Sequence, residues 1–289
     1  MKYSVSSYSF EQLRNKGLTE LEMIPLAKEL GFDGIEFCDL HPTEGKTSLE
    51  YAASLRAQAE ACDIDIVNYT IAANFIYGGN GSLSAEVDRL KAELEVAATL
   101  GVKGMRHDAA WDYKKEDRAQ RGFENALPRL IEGCRLVTEH AAEMGIRTMV
   151  ENHGYFCQES QRVEKLIAGV AHPNFGVLLD MGNFLCADEA PEKAFGRLAP
   201  FAFHVHAKDF HFKSGNEIAP ACGFFRTRAG NYLRGAIIGH GVVPVYQCLS
   251  ILKANGYDGF VTVEFEGIED CKLGCSYGLE TLKKLSSML

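Results

Sequence analysis

Apolar positions along the chain follow two alternating rhythms. Short apolar stretches near 3–9, 34–38, 64–70, 102–107, 147–151, 175–180, 201–206 and 260–265 read as strands. Between them, residues 19–30, 48–62, 82–100, 122–144, 160–169, 191–198, 244–255 and 278–288 carry apolar residues at helical spacing. Four segments share one layout: AKELGFDGIEFCD, ATLGVKGMRHD, AEMGIRTMVENHG and LKANGYDGFVTVEFEG. Each is a helix end, a glycine suited to the left-handed position that stops helices, a short link, a strand, and then polar or ionisable residues.

Strict strand–helix alternation predicts a parallel sheet, and eight repeats predict its closure into an α/β (β/α)8 TIM barrel occupying residues 1–289 as a single domain. A doubly wound sheet would place a glycine-rich phosphate turn after the first strand, and SSYSFEQLRNKG supplies none. One long stretch, about 207–243, reads as irregular. On a barrel it would lie on the face at the carboxyl ends of the strands, where connections of that length are usually functional.

Composition narrows the picture. Hydrophobic residues make up 46% of the 289, enough for a large core, and the formal net charge is −9. An acidic balance disfavours a nucleic-acid partner, which would need a basic face. No apolar run approaches the roughly 20 residues of a membrane span, and MKYSVSSYSF reads as a first strand rather than an export signal. Nine cysteines are scattered without a CxxC pair, the closest being Cys271 and Cys275. Reduced thiols in a cytoplasm are the expectation.

The candidate chemistry sits where strands end. In RTMVENHG, Met149, Glu151 and His153 share a strand face; in FGVLLDMGN, Leu178 and Asp180; in FAFHVHAKD, His204, His206 and Lys208; in FVTVEFEG, Thr262, Glu264 and Glu266. The outer face of a barrel strand packs on helices, so these polar sets point inward. Glu151, Asp180, His206 and Glu264 then converge near the top of four consecutive strands. Singly, each could be a cap or a hydrogen-bonded core residue. Together, three carboxylates would repel one another unless a cation joins them. The oxygen-rich set with one imidazole suits one divalent metal ion, Mn²⁺ first, with Mg²⁺, Co²⁺ or Zn²⁺ as alternatives.

GFDGIEF at 31–37, MVENHG at 149–154, VLLDMGN at 177–183, HVHAKD at 204–209 and GYDGFVTVEFEG at 256–267 together resemble the sugar phosphate isomerase/epimerase family of xylose isomerase-like barrels. That group shares its fold with the apurinic endonuclease IV enzymes. The resemblance spans nearly the whole chain. It implies metal ligands at Glu151, Asp180, His206 and Glu264, with Glu151 and Glu264 doubling as the catalytic acid/base pair. Glu266, on the same face, competes with Glu264 for the role. Asn183 stands where several relatives carry a histidine, and the long loop reads GNYLRG and GHG where the endonucleases have an Asp-x-His metal pair. Both departures disfavour DNA chemistry. Lys208 matches the HxKD of inositol-processing members.

The resemblance therefore implies a metal-dependent isomerase or epimerase of a ketose-type sugar or sugar phosphate. A lyase resembling inosose dehydratases or C-glycoside deglycosidases is the alternative, and a non-catalytic sugar-binding barrel the third reading. The expected partner is a small sugar or cyclitol, with no nucleic acid and no membrane; homo-oligomerisation is left open. His153, His204 and Lys208 are candidates for hydroxyl proton transfer or oxyanion stabilisation, or for orienting ligands. Glu36 and His107, on candidate inner faces, are candidates for binding hydroxyls, and Trp111 for stacking on a sugar. Arg226 and Arg228 could grip an anion, and His240 is either part of a lid or a turn residue.

Overall fold

Eight parallel strands close on themselves in the computed structural model, which describes residues 1–43 and 45–289. The chain runs β1 (Lys2–Ser6), α1 (Glu11–Arg14), α2 (Glu20–Glu29), β2 (Gly34–Cys38), α3 (Ser48–Ala61), β3 (Asp65–Ile71), α4 (Leu83–Leu100) and β4 (Gly104–His107). It continues through α5 (Phe123–Glu143), β5 (Arg147–Glu151), α6 (Ser160–Val170), β6 (Phe175–Asp180), α7 (Pro191–Leu198) and β7 (Ala202–Ala207). Then follow β8 (Asp209–Lys213), β9 (Phe225–Arg226), β10 (Tyr232–Ala236), α8 (Val245–Ala254), β11 (Phe260–Val263) and α9 (Cys271–Ser287). Around the barrel the order is β1-β11-β7-β6-β5-β4-β3-β2. The expected (β/α)8 barrel is the observed fold.

Local chemistry sets the helix ends. Thr19 and Glu22 form a reciprocal capping box at the start of α2, and Thr47 and Glu50 repeat it at α3. Helix α4 stops at Gly101, whose φ of 82° an L side chain rarely adopts. Helix α9 starts earlier than periodicity suggests, because the Asp270 side chain caps the amides of Lys272 and Leu273.

Strand alternation divides the interior in two. Val5, Ile35, Met105, Val150, Leu179, Val205 and Val263 belong to one buried apolar cluster with Met23, Leu55, Leu94, Leu130, Val163, Leu198, Leu249 and Leu282 of the surrounding helices. Each such side chain stabilises the fold by about 1.5–3 kcal/mol. The opposite strand faces carry Ser4, Ser6, Glu36, Asn68, Thr70, Arg106, Glu151, Asp180, His204, His206 and Thr262, all buried and all polar. Burial of so many polar groups is tolerable only if they satisfy one another or hold a ligand.

Two strand ends and one connection also differ from the sequence reading. Strand β1 ends at Ser6, where the Ser6 hydroxyl accepts the Tyr8 amide at 3.3 Å and turns the chain into a 3-10 turn over Ser7–Phe10. Strand β11 ends at Val263, so Glu264 and Glu266 stand just beyond it. The 207–243 stretch is not irregular: β8, β10 and β9 form a three-stranded antiparallel sheet, with Tyr232 opposite Lys213 and Ala236 opposite Asp209. The Asp209 carboxylate ties this insert down by accepting the amides of Gly239, Gly241 and Val243 at 2.9–3.0 Å. No helix among the described residues is long and apolar enough to cross a membrane.

Candidate active site and metal centre

Glu151 ends β5, Asp180 ends β6, His206 lies one residue from the end of β7, and Glu264 follows β11 directly. These four elements are neighbours in the barrel, so four distant sequence segments deliver their side chains to one place. One ligand atom from each residue lies within 4.8 Å of those of the other three, and all four residues are buried. His206 Nδ1 is 3.9 Å from Glu151, 3.7 Å from Asp180 and 3.5 Å from Glu264.

Hydrogen bonding shows which atoms are left for a ligand. His206 Nε2 donates to Glu36 Oε1 at 2.7 Å, which leaves Nδ1 as the atom facing the cluster. Asp180 Oδ1 accepts the amides of Gly182 and Asn183, both at 2.8 Å. Asp180 Oδ2 and His206 Nδ1 have no hydrogen-bond partner although both are buried. These two buried atoms, with only the Lys208 ammonium 3.4 Å from Asp180 Oδ2 and with two further carboxylates beside them, form a donor set that fits a divalent cation.

Glu36 and His204 do not reach the cavity; they lie beneath its floor. Glu36 is fully buried and also accepts from Asn68 at 2.9 Å and meets His204 Nε2 at 3.2 Å. Burial pushes the Glu36 carboxyl up, but the two histidines outweigh it and hold it well below the usual carboxylate range. His204 also meets the Thr262 hydroxyl at 2.7 Å. Glu36 thus orients His206, as carboxylates behind ligating histidines do.

The expectation that His107 faces the cavity is corrected. An alanine-sized group at Gly104 would touch the Met149 and Asn68 side chains, so Gly104 and Arg106 point inward and His107 points outward. His107 packs between Phe75 and Phe175 with its Nδ1 donating to the Asp108 carbonyl. Burial pushes its imidazole down to about 4, so it is neutral. Arg106 takes the inward place, with Nη2 at 2.6 Å from Glu151 and 3.0 Å from Asp108. Sequence reasoning missed Arg106 and Asp108; strict alternation through the four residues of β4 was the available signal.

Above the cluster opens a cavity of about 330 Å³. Its wall includes Tyr8, Arg106, Asp108, Trp111, Glu151, His153, His206, Lys208, Glu264 and Glu266. His153 Nδ1 donates to Asp108 at 3.0 Å. Burial pushes the His153 imidazole down, but the Asp108 carboxylate outweighs it and the net direction is up. Lys208 Nζ lies 2.6 Å from Glu264, 3.4 Å from Asp180 and 3.7 Å from Glu266, and donates to Asn183 Oδ1 at 3.1 Å. Burial pushes Glu264 up, but Lys208 and His206 outweigh it and hold it well below its ordinary value. Asp180 is pushed up to about 7, first by burial and then by Glu264 and Glu151, against the opposing pull of Lys208. Asn183 Nδ2 donates to Glu151 at 2.9 Å, so this amide braces a cluster carboxylate.

Arg226 lies over the Tyr232 ring, and Arg228 pairs with Glu159 and the Tyr155 carbonyl. Neither lines the cavity, nor does His240, whose amide closes a turn onto Ile237.

A family model described as xylose isomerase-like TIM barrel matches residues 24–285. The chain belongs to that family. Similar solved structures share its architecture at low identity. A xylose isomerase-like TIM barrel protein from Mycobacterium smegmatis, in complex with magnesium, has a TM-score of 0.73 at 17% identity, covering 99% of this chain and 97% of that one. A D-psicose 3-epimerase solved in the presence of D-fructose has a TM-score of 0.72 at 18% identity, covering 99% of each chain. The probable 3-DHS dehydratase of petrobactin synthesis from Bacillus anthracis has a TM-score of 0.71 at 18% identity, covering 98% of this chain and 99% of that one. No curated protein sequence matches the chain significantly. In this xylose isomerase-like barrel the cluster occupies the face where barrel enzymes carry their active sites.

Proposed function

We propose that the protein is a metal-dependent isomerase or epimerase of a ketose-type sugar, built on one barrel domain. Glu151, Asp180, His206 and Glu264 would hold the cation, and Glu151 and Glu264 would move the proton. The observation that carries this reading is the pair of buried atoms without a hydrogen bond, Asp180 Oδ2 and His206 Nδ1, facing two further carboxylates. A bound divalent cation acts as a Lewis acid on a substrate carbonyl and so acidifies the adjacent C–H.

The protein's own groups complete the chemistry. Glu151 and Glu264 approach from strands separated by β6 and β7, which suits removal of a proton from one side of a planar ene-diolate and its return to the other. Lys208 lies 2.6 Å from Glu264 and Arg106 2.6 Å from Glu151, so each candidate acid/base carboxylate has a cation beside it that fixes its position. Lys208 also offers a donor to a substrate oxygen that gains negative charge. Proton return to the same carbon gives an epimer; return to the neighbouring carbon gives an isomer.

A lyase is the second reading, and the Asp108–His153 pair favours it. Its imidazole on the cavity wall is placed to protonate a departing hydroxyl. The C–H proton would pass to a glutamate, the C–O bond would break, and water would leave.

Incubation of metal-loaded protein in deuterium oxide with ketoses and inososes separates these outcomes. Isomerisation gives deuterium uptake at constant skeleton mass; dehydration gives a product lighter by one water. Glu151→Gln and Glu264→Gln are each expected to abolish exchange while preserving the thermal unfolding transition. Exchange at the parent rate in both variants overturns the assignment.

A further inference from the structure

The charges on the cavity wall discriminate between classes of substrate. Asp39, Asp108, Glu151, Glu264 and Glu266 line the cavity against two fixed cations, Arg106 and Lys208, and the His153 imidazole, which is bonded to Asp108. Both cations are already engaged. Arg106 bridges Glu151 and Asp108 at 2.6 and 3.0 Å and donates to the Ile71 carbonyl at 3.2 Å. Lys208 is held among Glu264, Asp180 and Glu266. With the ligand Asp180 the carboxylates number six, one more than the charges that Arg106, Lys208, a protonated His153 and a divalent cation would together supply.

A phosphate or carboxylate entering here finds no unengaged ammonium or guanidinium among the described residues of the wall, and it meets like charge. Three more arginines, Arg121, Arg162 and Arg228, border a separate hollow beside Tyr155. They too are engaged, with Asp112, with the Phe156 carbonyl, and with Glu159 and the Tyr155 carbonyl respectively.

Hydroxyl groups meet the opposite situation. Carboxylates accept hydrogen bonds from hydroxyls, and neither Asp39 nor Glu266 is locked in a short ion pair. The Trp111 indole, 46% exposed, stands edge-on to His153 at 5.2 Å between centroids. The ring also packs at van der Waals distance over Gly154, whose φ of +74° few L side chains adopt. Its remaining surface is a flat platform for the C–H face of a sugar.

We infer that the cavity takes an uncharged, monosaccharide-sized polyol and rejects phosphorylated and acidic sugars. This rests on the sugar-isomerase reading and names the substrate class of that site.

Trp111 is the chain's one tryptophan, so its fluorescence reports occupancy without turnover. The test titrates Mn²⁺-loaded full-length protein with D-fructose, D-tagatose, D-sorbose and an inosose, and with D-fructose 6-phosphate, D-tagatose 6-phosphate and D-gluconate. The tightest ligand is expected to be neutral, with its phosphorylated counterpart weaker by about tenfold or more. Glu266→Gln removes one wall charge and is expected to narrow that ratio several-fold.

A phosphorylated or acidic sugar as tightest ligand, a panel in which no neutral sugar binds, or a ratio unmoved by Glu266→Gln overturns the inference. Deuterium exchange on the same panel keeps the two claims apart. Neutral sugars that bind without exchange count against the isomerase and leave the substrate class standing. Phosphorylated sugars that bind tighter and exchange do the reverse.

Discussion

Glu36→Gln tests whether the layer beneath the cavity prepares the metal centre. Glu36 accepts from His206 at 2.7 Å and from Asn68 at 2.9 Å, and lies 3.2 Å from His204. Alanine would leave these groups without their partner, at about 1–3 kcal/mol each, a total that rivals the 5–15 kcal/mol stability of a typical domain. Glutamine keeps the shape and one acceptor but removes the charge. A hydrogen bond to a charged group contributes about 1.5–3 kcal/mol, against about 0.5–1.5 for a neutral one. The loss at His206 is therefore about 1.4 kcal/mol, which is tenfold in affinity and at the lower edge of the 10–100-fold typical of such supporting groups. Isothermal titration with Mn²⁺ at fixed pH and salt reads this directly. Thermal or urea unfolding gives a second readout: metal at about 100 times the parent dissociation constant stabilises the parent by about 2.7 kcal/mol. The same concentration should stabilise Glu36→Gln by about 1.4 kcal/mol. Parent-like affinity in a folded Glu36→Gln protein would refute the orienting role.

Other expectations follow from single contacts. Arg106→Met should destabilise the fold by about 3–5 kcal/mol in urea unfolding, because Glu151 and Asp108 lose their buried counter-ion; pairing it with Asp108→Asn should recover part of the loss. Glu86 anchors the start of α4 by accepting from Arg89 at 2.8 Å and from the Asn74 amide at 3.0 Å. Burial pushes Glu86 up, yet these bonds outweigh it and its carboxyl lies below its ordinary value in the folded protein. Its stabilisation is then fully present above the unfolded carboxyl pKa and is lost as pH falls through the folded one. Glu86→Gln should cost about 1–3 kcal/mol at pH 7, and the difference should vanish in acid; a constant difference across that range contradicts the assignment.

Much of this was legible in the sequence, and the places where it was not have physical causes. Strand–helix alternation requires no tertiary information, and it led to the barrel. The faces of β5, β6 and β7 could be read because each strand has, at or next to its end, an ionisable residue on the inner row and Val150, Leu179 or Val205 on the outer one. Strand β4 defeated that reading. It has four residues, and its outward histidine is polar by type yet buried between Phe75 and Phe175. A functional-looking side chain at a strand end reads as inward, yet Arg106 holds that slot. Alternation puts Glu36 on the correct face but leaves its depth open, because it specifies direction and not height along the barrel. The β8–β10 sheet was hidden by the glycines and Pro220 around it, although DFHFK alternates as an edge strand does. Asn183 stood out only as a departure from relatives; its role bracing Glu151 required coordinates.

The central claim is that one divalent cation sits among Glu151, Asp180, His206 and Glu264. Anomalous diffraction at the manganese edge from crystals of the Mn²⁺-loaded protein tests it most directly. The account predicts a single strong peak bonded to His206 Nδ1, Asp180 Oδ2 and the carboxylates of Glu151 and Glu264, with Lys208 displaced toward the cavity. A peak elsewhere, or no peak with the Lys208 ammonium still lodged between Glu264 and Asp180, would contradict it.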